Sequence, residues 1–493
     1  MGFSVALQPA NLVFCFLGVL MGTLVGVLPG FGPVAAMSLL LPATFHIPPI
    51  GAIIMLSGIY YGAQYGGSTT SILVNIPGEA SSVVTCLDGY QMALNGRAGP
   101  ALGIAAFGSF IAGTIGIIGL MLVAPLLANV AVAFGPPEYT ALMILGLTIL
   151  SYLARGSMIK ALIMAALGLF LGCIGTDLIS SSTRFTFDTV ALLDGVGLVP
   201  LVMGLFGISE VFINIEGSLR TQVYKTKITG LFPTVKDWKI SLGAILRGTG
   251  VGFFLGILPG GGALVSSFAA YAIEKKVSRY PERFGTGVIE GVAAPESANN
   301  AAAQTSYIPL LTLGIPSNVV MALLLGALLI HKVQVGPLLI KQHPDLFWGV
   351  VTSMYIGNGM LLALNLPLIG IWVKVLKIPY TVLFPLILLF CLIGVYTVNN
   401  NSIDIYIMGL FGVIGYLMKK FNYEGAPLVL AFVLGPMLET NLRRSLILSD
   451  GGFGIFLSRP ISAVLIISSL LLLFLPIFVK KRPAQGISGD EET

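Results

Sequence analysis

The first 78 residues of the chain contain no Asp, Glu, Lys or Arg. Two further stretches, residues 101–130 and 461–479, are also uncharged and long enough to cross a bilayer as helices. Charged residues make up only 10% of the 493 residues, and the mean hydropathy is +0.95. A soluble fold needs a polar exterior that this composition does not supply. The sequence therefore predicts an all-α polytopic membrane protein with roughly ten to twelve membrane elements.

Glycine and proline recur in the same order in the two halves of the chain. An L-P-G-x-G element occupies residues 28–32 and again residues 258–262. Each is followed by a second proline break, N-I-P-G at 75–78 and G-I-P-S at 314–317, and then by a Gly-Pro pair at 99–100 and 336–337. The matching order predicts two repeats with broken or re-entrant helices. Tight helix packing with simple kinks is the alternative.

Basic residues flank only the second L-P-G-x-G element. They precede it at Arg220, Lys225, Lys227, Lys236 and Lys239 and follow it at Lys275, Lys276, Arg279 and Arg283. The positive-inside rule places these flanks in the cytoplasm, and the uncharged flanks of the first element favour the opposite side. The two repeats are therefore predicted to be inverted. Lys480, Lys481 and Arg482 predict a cytoplasmic C-terminus, whereas Arg443 and Arg444 leave the topology count ambiguous.

These patterns predict four regions along the chain. The first transmembrane repeat spans residues 1–215, and a basic cytoplasmic linker spans 216–240. The second repeat with the C-terminal helices spans 241–479, and a cytoplasmic tail spans 480–493. The N-terminus lacks a basic segment before its apolar run, so no cleaved signal peptide is expected.

Enzymatic signatures are not evident in the sequence. His46, His331 and His343 are isolated, without metal-ligand spacing, and no P-loop is present, so ATP hydrolysis by this chain is not expected. The four cysteines are scattered, and the net charge of +5 is too modest to indicate nucleic-acid binding. We expect no cofactor and no enzyme activity. An anion channel and, less favoured, a lipid-handling membrane enzyme are the alternatives to a transporter.

Several motifs resemble one known family. They are the paired L-P-G-x-G elements, Y-G-G-S-T-T-S-I-L-V-N-I-P-G at 65–78, A-P-E-S-A-N-N-A at 294–301 and G-P-M-L-E-T-N-L-R-R-S-L at 435–446. Together they resemble the large permease subunit of the tripartite tricarboxylate transporters over nearly the whole chain. The resemblance implies a multi-pass protein of the bacterial inner membrane with a small four-helix membrane subunit and a periplasmic solute-binding protein as partners. It also implies import of tricarboxylates or related small carboxylates, driven by an ion gradient.

The breaks themselves predict where an anion binds. A helix N-terminus offers free N–H groups and a partial positive charge, and glycine lets a ligand reach the backbone. Helices can begin with Pro33 and near Ala263, and a third can begin after Pro316 with Ser317 as its N-cap. Glu79 lies in the first turn after Pro77, where its own negative charge would interact favourably with the helix dipole. That break is therefore disfavoured as an anion-binding site. The predicted substrate-binding residues are Pro29, Gly30, Gly32, Pro259, Gly260, Gly262, Ser266, Ser317 and Asn318.

Oxygen-bearing side chains cluster beside the second break of each half, where they predict a site for a coupling ion. Na⁺ prefers such hard oxygen ligands, which favours Na⁺ over H⁺ without excluding H⁺. Glu296 is the acidic candidate, as a cation ligand or a proton carrier, and a helix cap or interface residue is its other interpretation. The predicted cation-binding residues are Ser68, Thr69, Thr70, Asn75, Asn299, Asn300, Thr305 and Glu296, and interhelical hydrogen bonding is their alternative role.

Overall fold

The structure is a computed structural model that describes residues 1–28, 31–153, 157–177, 179–216, 230–376, 378 and 380–478. Helices account for nearly all of its regular structure. In this part of the chain, the strands are β1 (Gly175–Thr176) and β2 (Thr183–Arg184), an antiparallel pair with Gly175 opposite Arg184. The predicted all-α class is therefore confirmed.

Ten α-helices precede the basic segment. They are α1 (Gly2–Ala6), α2 (Pro9–Val27), α3 (Gly32–Leu40), α4 (Pro49–Val74), α5 (Val83–Leu94), α6 (Ala98–Ala131), α7 (Pro136–Leu153), α8 (Met158–Gly172), α9 (Leu198–Val202) and α10 (Ser209–Glu216). A π-helical segment, Met203–Ile208, joins α9 to α10. Short 3₁₀ turns lie at Pro42–Thr44, Ala80–Ser82 and Val190–Leu192.

Thirteen α-helices follow in the described part of the second half. They are α11 (Val235–Ile257), α12 (Gly262–Val277), α13 (Glu290–Thr305), α14 (Tyr307–Leu313), α15 (Val319–Ile330), α16 (Leu339–Gln342), α17 (Pro344–Asn365), α18 (Ile369–Val375), α19 (Tyr380–Asn399), α20 (Ser402–Lys420), α21 (Gly425–Leu448), α22 (Ile455–Ser458) and α23 (Pro460–Phe478). A 3₁₀ turn, Pro281–Arg283, separates α12 from α13.

Seven helical segments in the described residues are long and apolar enough to cross a membrane. They are Pro9–Val27, Ala98–Ala131, Leu198–Glu216, Val235–Ile257, Pro344–Asn365, Ser402–Lys420 and Gly425–Leu448. Four shorter apolar helices accompany them, which is compatible with the expected ten to twelve membrane elements. Large apolar side chains such as Leu122, Phe254 and Leu471 are exposed on the outer faces, as lipid contact requires.

Two helices form the buried centre of the molecule. In α4 every residue from Gly51 to Val74 is buried, and in α13 every residue from Gly291 to Thr305 is buried. A helix buried all round must be covered by other helices. Helices α2, α5 and α17 pack on α4, while α6, α11 and α12 pack on α13. In each half, one central helix is thus covered by a broken helix that precedes it in the chain: α2 covers α4, and α11 covers α13.

Glycine seams hold each broken helix against its central helix. A Cβ atom placed on Gly22 of α2 would lie 2.5 Å from the carbonyl oxygen of Ile59 in α4. One placed on Gly252 of α11 would lie 2.2 Å from the carbonyl oxygen of Ala298 in α13. Gly18 and Gly26 make the same approach in the first half, and Gly248 and Gly256 make it in the second. Small residues at every fourth position bring the two backbones into direct contact.

The later helices pack on those that end the first half. Helix α21 lies against α7 and α8, and α23 lies against α7. Ion pairs reinforce these contacts, including Arg459 with Glu138 at 2.6 Å. Lys419 of α20 likewise pairs with Glu210 of α10.

Arg443 of α21 belongs to an ion network. It pairs with Asp177 at 2.7 Å and with Glu439 at 2.6 Å, and Arg184 pairs with the same two carboxylates. Two positive charges and two negative charges balance there. These ion pairs join α21 to the segment that contains β1 and β2.

Several predictions concern residues outside this description. The linker residues 217–229, with Arg220, Lys225 and Lys227, and the tail 479–493 lie outside the described residues. Pro29 and Gly30 lie outside them too. The inverted orientation of the repeats and the four region boundaries stay predictions.

Candidate functional site: the converging helix breaks

The two proline breaks of each half are joined by a backbone hydrogen bond. In the second half, the amide of Gly260 donates to the carbonyl oxygen of Ser317 at 2.7 Å. In the first half, the amide of Gly32 donates to the carbonyl oxygen of Gly78 at 3.2 Å. The L-P-G-x-G element therefore meets the following proline break in both halves. The repeated order of breaks in the sequence corresponds to a repeated contact in space.

The helix ends at these breaks have matching conformations. Helix α4 ends at Asn75 and α14 ends at Gly314, both left-handed, with φ of 57° and 72°. Gly32 and Gly262 begin α3 and α12 with φ of 58° and 53°. A residue with a side chain is strained in this region, so glycine suits the start of both helices.

Equivalent positions beyond the second breaks carry different side chains. Glu79 caps the Ala80–Ser82 turn, and its Oε2 accepts a bond from the Ser81 amide at 2.8 Å. Asn318 caps α15, and its Oδ1 accepts a bond from the Met321 amide at 3.0 Å. Each cap lies beside the glycine that begins the helix after the first break of its half, Gly32 for α3 or Gly262 for α12. The expectation that Ser317 is the N-cap is wrong, because α15 begins one residue later.

The breaks of the two halves also meet each other. Helix α3 of the first half packs on α15 of the second, and α12 of the second half packs on the Ala80–Ser82 turn of the first. Asp88 of α5 strengthens this crossing. Its fully buried carboxylate accepts bonds from the Tyr271 hydroxyl and from the amides of Gly285, Gly287 and Val288, at 2.8 to 3.1 Å. All the described breaks therefore lie in one central region.

Glu296 of α13 is the buried acid of this region. Its side chain has no exposed surface, and its carboxylate accepts bonds from Ser68 at 2.5 Å, from Thr85 and from Asn299 at 3.2 Å. No Lys or Arg in the described part of the chain forms an ion pair with Glu296 or Glu79. A buried carboxylate without a countercharge is costly unless it is protonated or a cation lies nearby. The geometry thus favours a role in binding a proton or a cation.

The predicted cation residues divide into two groups. Ser68, Asn299 and Asn300 form one network with Glu296, in which the Asn300 amide donates to Asn299 Oδ1 at 2.6 Å. The oxygen of the Asn300 side chain lacks a hydrogen-bond partner among the described residues although it is buried. Thr69 faces a small cavity on the other side of Ser68. These residues remain candidates for a coupling-ion site.

Three other predicted cation residues lie apart from that network. The Thr70 hydroxyl donates to the carbonyl oxygen of Val27 at 2.7 Å and so anchors the end of α2. Thr305 bonds within its own helix at 3.5 Å, and Asn75 is exposed at the end of α4. For Thr70 and Thr305 the interhelical or local hydrogen-bonding interpretation describes the geometry better.

Except for Gly32, which lies at the first-half break, the described substrate candidates gather at the second-half breaks. Gly260 and Gly262 lie beside Ser317 and Asn318, and Pro259 precedes them. The Ser266 hydroxyl donates to the carbonyl oxygen of Gly262 at 2.6 Å, so it serves its own helix. The Asn318 side-chain amide is buried, near the Tyr60 hydroxyl and beside the first turns of α12 and α15.

Sequence reasoning missed several members of the central network. Thr85 of α5 and Ser109 of α6 both bond Glu296, the first at its carboxylate and the second at its backbone oxygen. Gln64 accepts a bond from the Ser81 hydroxyl at 2.7 Å. Each lies on the buried side of a mainly apolar helix, and that position was the available signal.

A multi-pass membrane protein whose central helices are broken at paired positions belongs to the class of transport proteins. The comparison with known families makes this specific. Residues 12–430 match the model of the tripartite tricarboxylate transporter TctA family. The chain belongs to this family.

Two proteins of Agrobacterium vitis are similar to this chain. An uncharacterized 52.8 kDa protein in the TAR-I ttuC' 3' region is 51% identical over 493 residues, which cover 99% of this chain and 98% of that protein. An uncharacterized protein in the TAR-II ttuC' 3' region is 51% identical over 242 residues, which cover 48% of this chain and all of that protein. No solved structure matches the chain.

Proposed function

We propose that this protein is the permease subunit of a binding-protein-dependent secondary transporter that imports tricarboxylates or related small organic carboxylates. The observation that carries the proposal is the convergence of hydrogen-bonded helix breaks beside a buried carboxylate that forms no ion pair within the described residues. Unwound backbone is tolerated at membrane depth where it lines a binding site or cavity. Membership of the TctA family supports the same function.

The carboxylate substrate binds at the second-half breaks in this proposal. The first amides of α12 and α15 have no partners within their helices and carry the positive end of the helix dipole. The Asn318 side-chain amide adds a buried donor. The corresponding first-half position is Glu79, whose carboxyl oxygens accept bonds from Ser81 and offer an anion no donor when ionised. Neutral donors without Lys or Arg bind an anion while permitting its release.

The driving force is an ion gradient coupled through Glu296. A fully buried carboxylate held by hydroxyl and amide donors from α4, α5 and its own helix can bind a proton or a cation. Its donors come from both halves of the chain. A change in its charge therefore alters contacts between the halves, which is a means of coupling ion binding to substrate movement.

The remaining parts of the system follow from the family. We propose that the chain lies in the bacterial inner membrane together with a small four-helix membrane subunit. A periplasmic solute-binding protein delivers the carboxylate. The word tripartite in the family description supports this composition.

Uptake by proteoliposomes tests the proposal. The chain is reconstituted with the small membrane subunit, and uptake of radiolabelled citrate and other carboxylates is measured with and without the binding protein. We expect uptake to require both the binding protein and an imposed ion gradient, and to collapse when an ionophore dissipates that gradient. Uptake that follows ATP and ignores ionophores would contradict a secondary carrier. Uptake without saturation or binding protein would indicate a channel.

A further inference from the structure

A small cavity lies beside the Glu296 network. Five of its lining residues carry side-chain oxygen atoms: Tyr65, Ser68 and Thr69 of α4, Ser109 of α6 and Asn365 at the end of α17. The apolar residues Leu102, Ala105, Ala106 and Ile369 complete the lining. The volume of the cavity is about 10 Å³, which is the space that one water molecule needs. The cavity therefore has the size of a single small particle and presents oxygen atoms on part of its wall.

One oxygen atom in this wall has no assigned role in the fold. Asn365 is only 5% exposed, and its side-chain amide donates to the carbonyl oxygen of Leu361 at 2.9 Å. Its Oδ1 atom has no hydrogen-bond partner within the described residues. Leaving such an acceptor unsatisfied costs about 1–3 kcal/mol. A particle in the cavity that interacts with Asn365 Oδ1 removes this cost.

The charge around the cavity favours a cation over an anion. Ser68 bonds the Glu296 carboxylate, and Ser109 bonds the Glu296 backbone oxygen at 3.3 Å, so two wall residues connect directly to the acid. Asn300 donates to the Ser109 hydroxyl at 2.7 Å, which leaves that oxygen oriented as an acceptor. The nearest formal charge of the network is therefore negative.

We propose that this cavity is a Na⁺ site, with Asn365, Thr69, Ser68 and Ser109 as oxygen ligands and Glu296 as the balancing charge behind Ser68. Uncharged oxygen ligands with one nearby carboxylate suit a monovalent cation. The cavity is too small for a hydrated ion. A bare Na⁺ is smaller than a bare K⁺ and approaches its oxygen ligands more closely, so the two cations are compared directly below. The role of this Na⁺ as the coupling ion rests on the proposed function; its binding does not. With Asn365 and Ser109 as ligands, the ion site includes residues from the end of α17 and the middle of α6.

Na⁺-dependent stability tests binding without any transport assay. The full-length chain is purified in detergent, and thermal unfolding is followed against NaCl, with KCl and choline chloride at matched ionic strength. A ligand that binds only the folded state raises stability in a saturable way. We expect saturable stabilisation by Na⁺ and only the general salt effect from K⁺ and choline.

Three substitutions locate the site. Thr69→Val keeps the shape and removes one hydroxyl, and Asn365→Leu removes the unpartnered oxygen. We expect each to raise the Na⁺ concentration for half-maximal stabilisation at least tenfold. Thr249→Val is the matched control, because Thr249 is a buried threonine of α11 whose hydroxyl already donates to the carbonyl oxygen of Ile245. It should leave the Na⁺ response unchanged.

Two results overturn the proposal. Equal stabilisation of the parent chain by NaCl and choline chloride means that the cavity holds water. A Na⁺ response that survives both Thr69→Val and Asn365→Leu means that the ion binds elsewhere. These failures are distinct from failure of the proposed function: a chain that binds Na⁺ here but imports no carboxylate disproves the transport proposal and leaves the ion site standing.

Discussion

The second proline breaks of the two halves have the same backbone geometry and different capping side chains. Each begins at a left-handed residue, accepts a bond from a glycine amide of the first break, and places a capping side chain beside the glycine that starts the helix after that first break. In the first half the cap is the acidic Glu79, and in the second half it is the neutral Asn318. The two breaks thus share a backbone frame and differ in one ionisable group. The predictions below test whether that difference and the matching frame have the roles we assign.

Replacing Glu296 should have the largest effect on transport. Glu296→Gln keeps the size of the side chain and removes its charge, so the ion gradient can no longer act through it. We expect gradient-driven carboxylate uptake to fall by about a hundredfold, or ~2.7 kcal/mol. Glu79→Gln is the control, since Glu79 is also buried but bonds mainly within its own turn. The Glu79→Gln variant should have slightly lower thermal stability and keep most of the uptake. A hundredfold loss of uptake in that variant would contradict a coupling role that belongs to Glu296 alone.

Transferring the first-half charge to the second half should have the next largest effect. Asn318→Asp retains a good N-cap for α15 and places a carboxylate where the neutral amide was. Repulsion should raise the KM for a carboxylate substrate at least tenfold, while thermal stability changes little. Asn318→Ser, which caps without charge, is the comparison. An unchanged KM in the Asn318→Asp variant would contradict an anion-binding site at the second-half break.

The glycine seams should respond alike in the two halves. Gly252→Ala places a Cβ atom against the Ala298 carbonyl, and Gly22→Ala places one against the Ile59 carbonyl. We expect each to destabilise the protein by about 1–3 kcal/mol, measured as lower thermal stability in detergent. Gly250→Ala in the same helix is the control, because nothing lies within 4 Å of its added Cβ atom. Sensitivity at only one seam would show that the two halves are not packed equivalently.

The ion network at Asp177 should have the smallest effect and should act on stability alone. Hydrogen bonds from Ser180 and Arg443 hold the pKa of the Asp177 carboxyl well below its usual range. Because the folded pKa is depressed, the stabilisation is present above the unfolded pKa of about 3.9 and is lost as pH falls through the folded pKa. Asp177→Asn should therefore be slightly less stable than the parent at neutral pH, with a gap that narrows below about pH 4. Carboxylate uptake should not change.

The sequence predicted the breaks better than it predicted the polar network. Proline and glycine limit the backbone locally, so the ends of α2, α4 and α11 could be recognised without knowledge of tertiary contacts. Residues 290–305 contain two glutamates, two asparagines and a glutamine, and nothing local indicates that this segment is the most buried helix of the second half. Its burial depends on α6, α11 and α12, which cover it.

The polar network depends on contacts between distant parts of the chain. Ser68 and Glu296 are 228 residues apart, and Ser109 and Asn300 are 191 residues apart. Clusters of Ser, Thr and Asn indicated the region of the Glu296 network, yet spacing could not separate Ser68, which bonds the acid, from Thr70, which anchors α2. Asn365 stood alone in the sequence, and only the folded protein shows that it lines the cavity and that its side-chain oxygen has no partner among the described residues.

The glycine seams have a mechanical consequence. Helices that are in contact through side chains can slide past each other as rotamers change. Helices α2 and α4, and likewise α11 and α13, are packed backbone against backbone, so no side chains lie between them at the glycine seams to permit such sliding. Each pair should behave as one stiff lever. Bending is then confined to short non-helical segments such as residues 258–261. The size of any conformational change is set by the contacts between the two helix pairs.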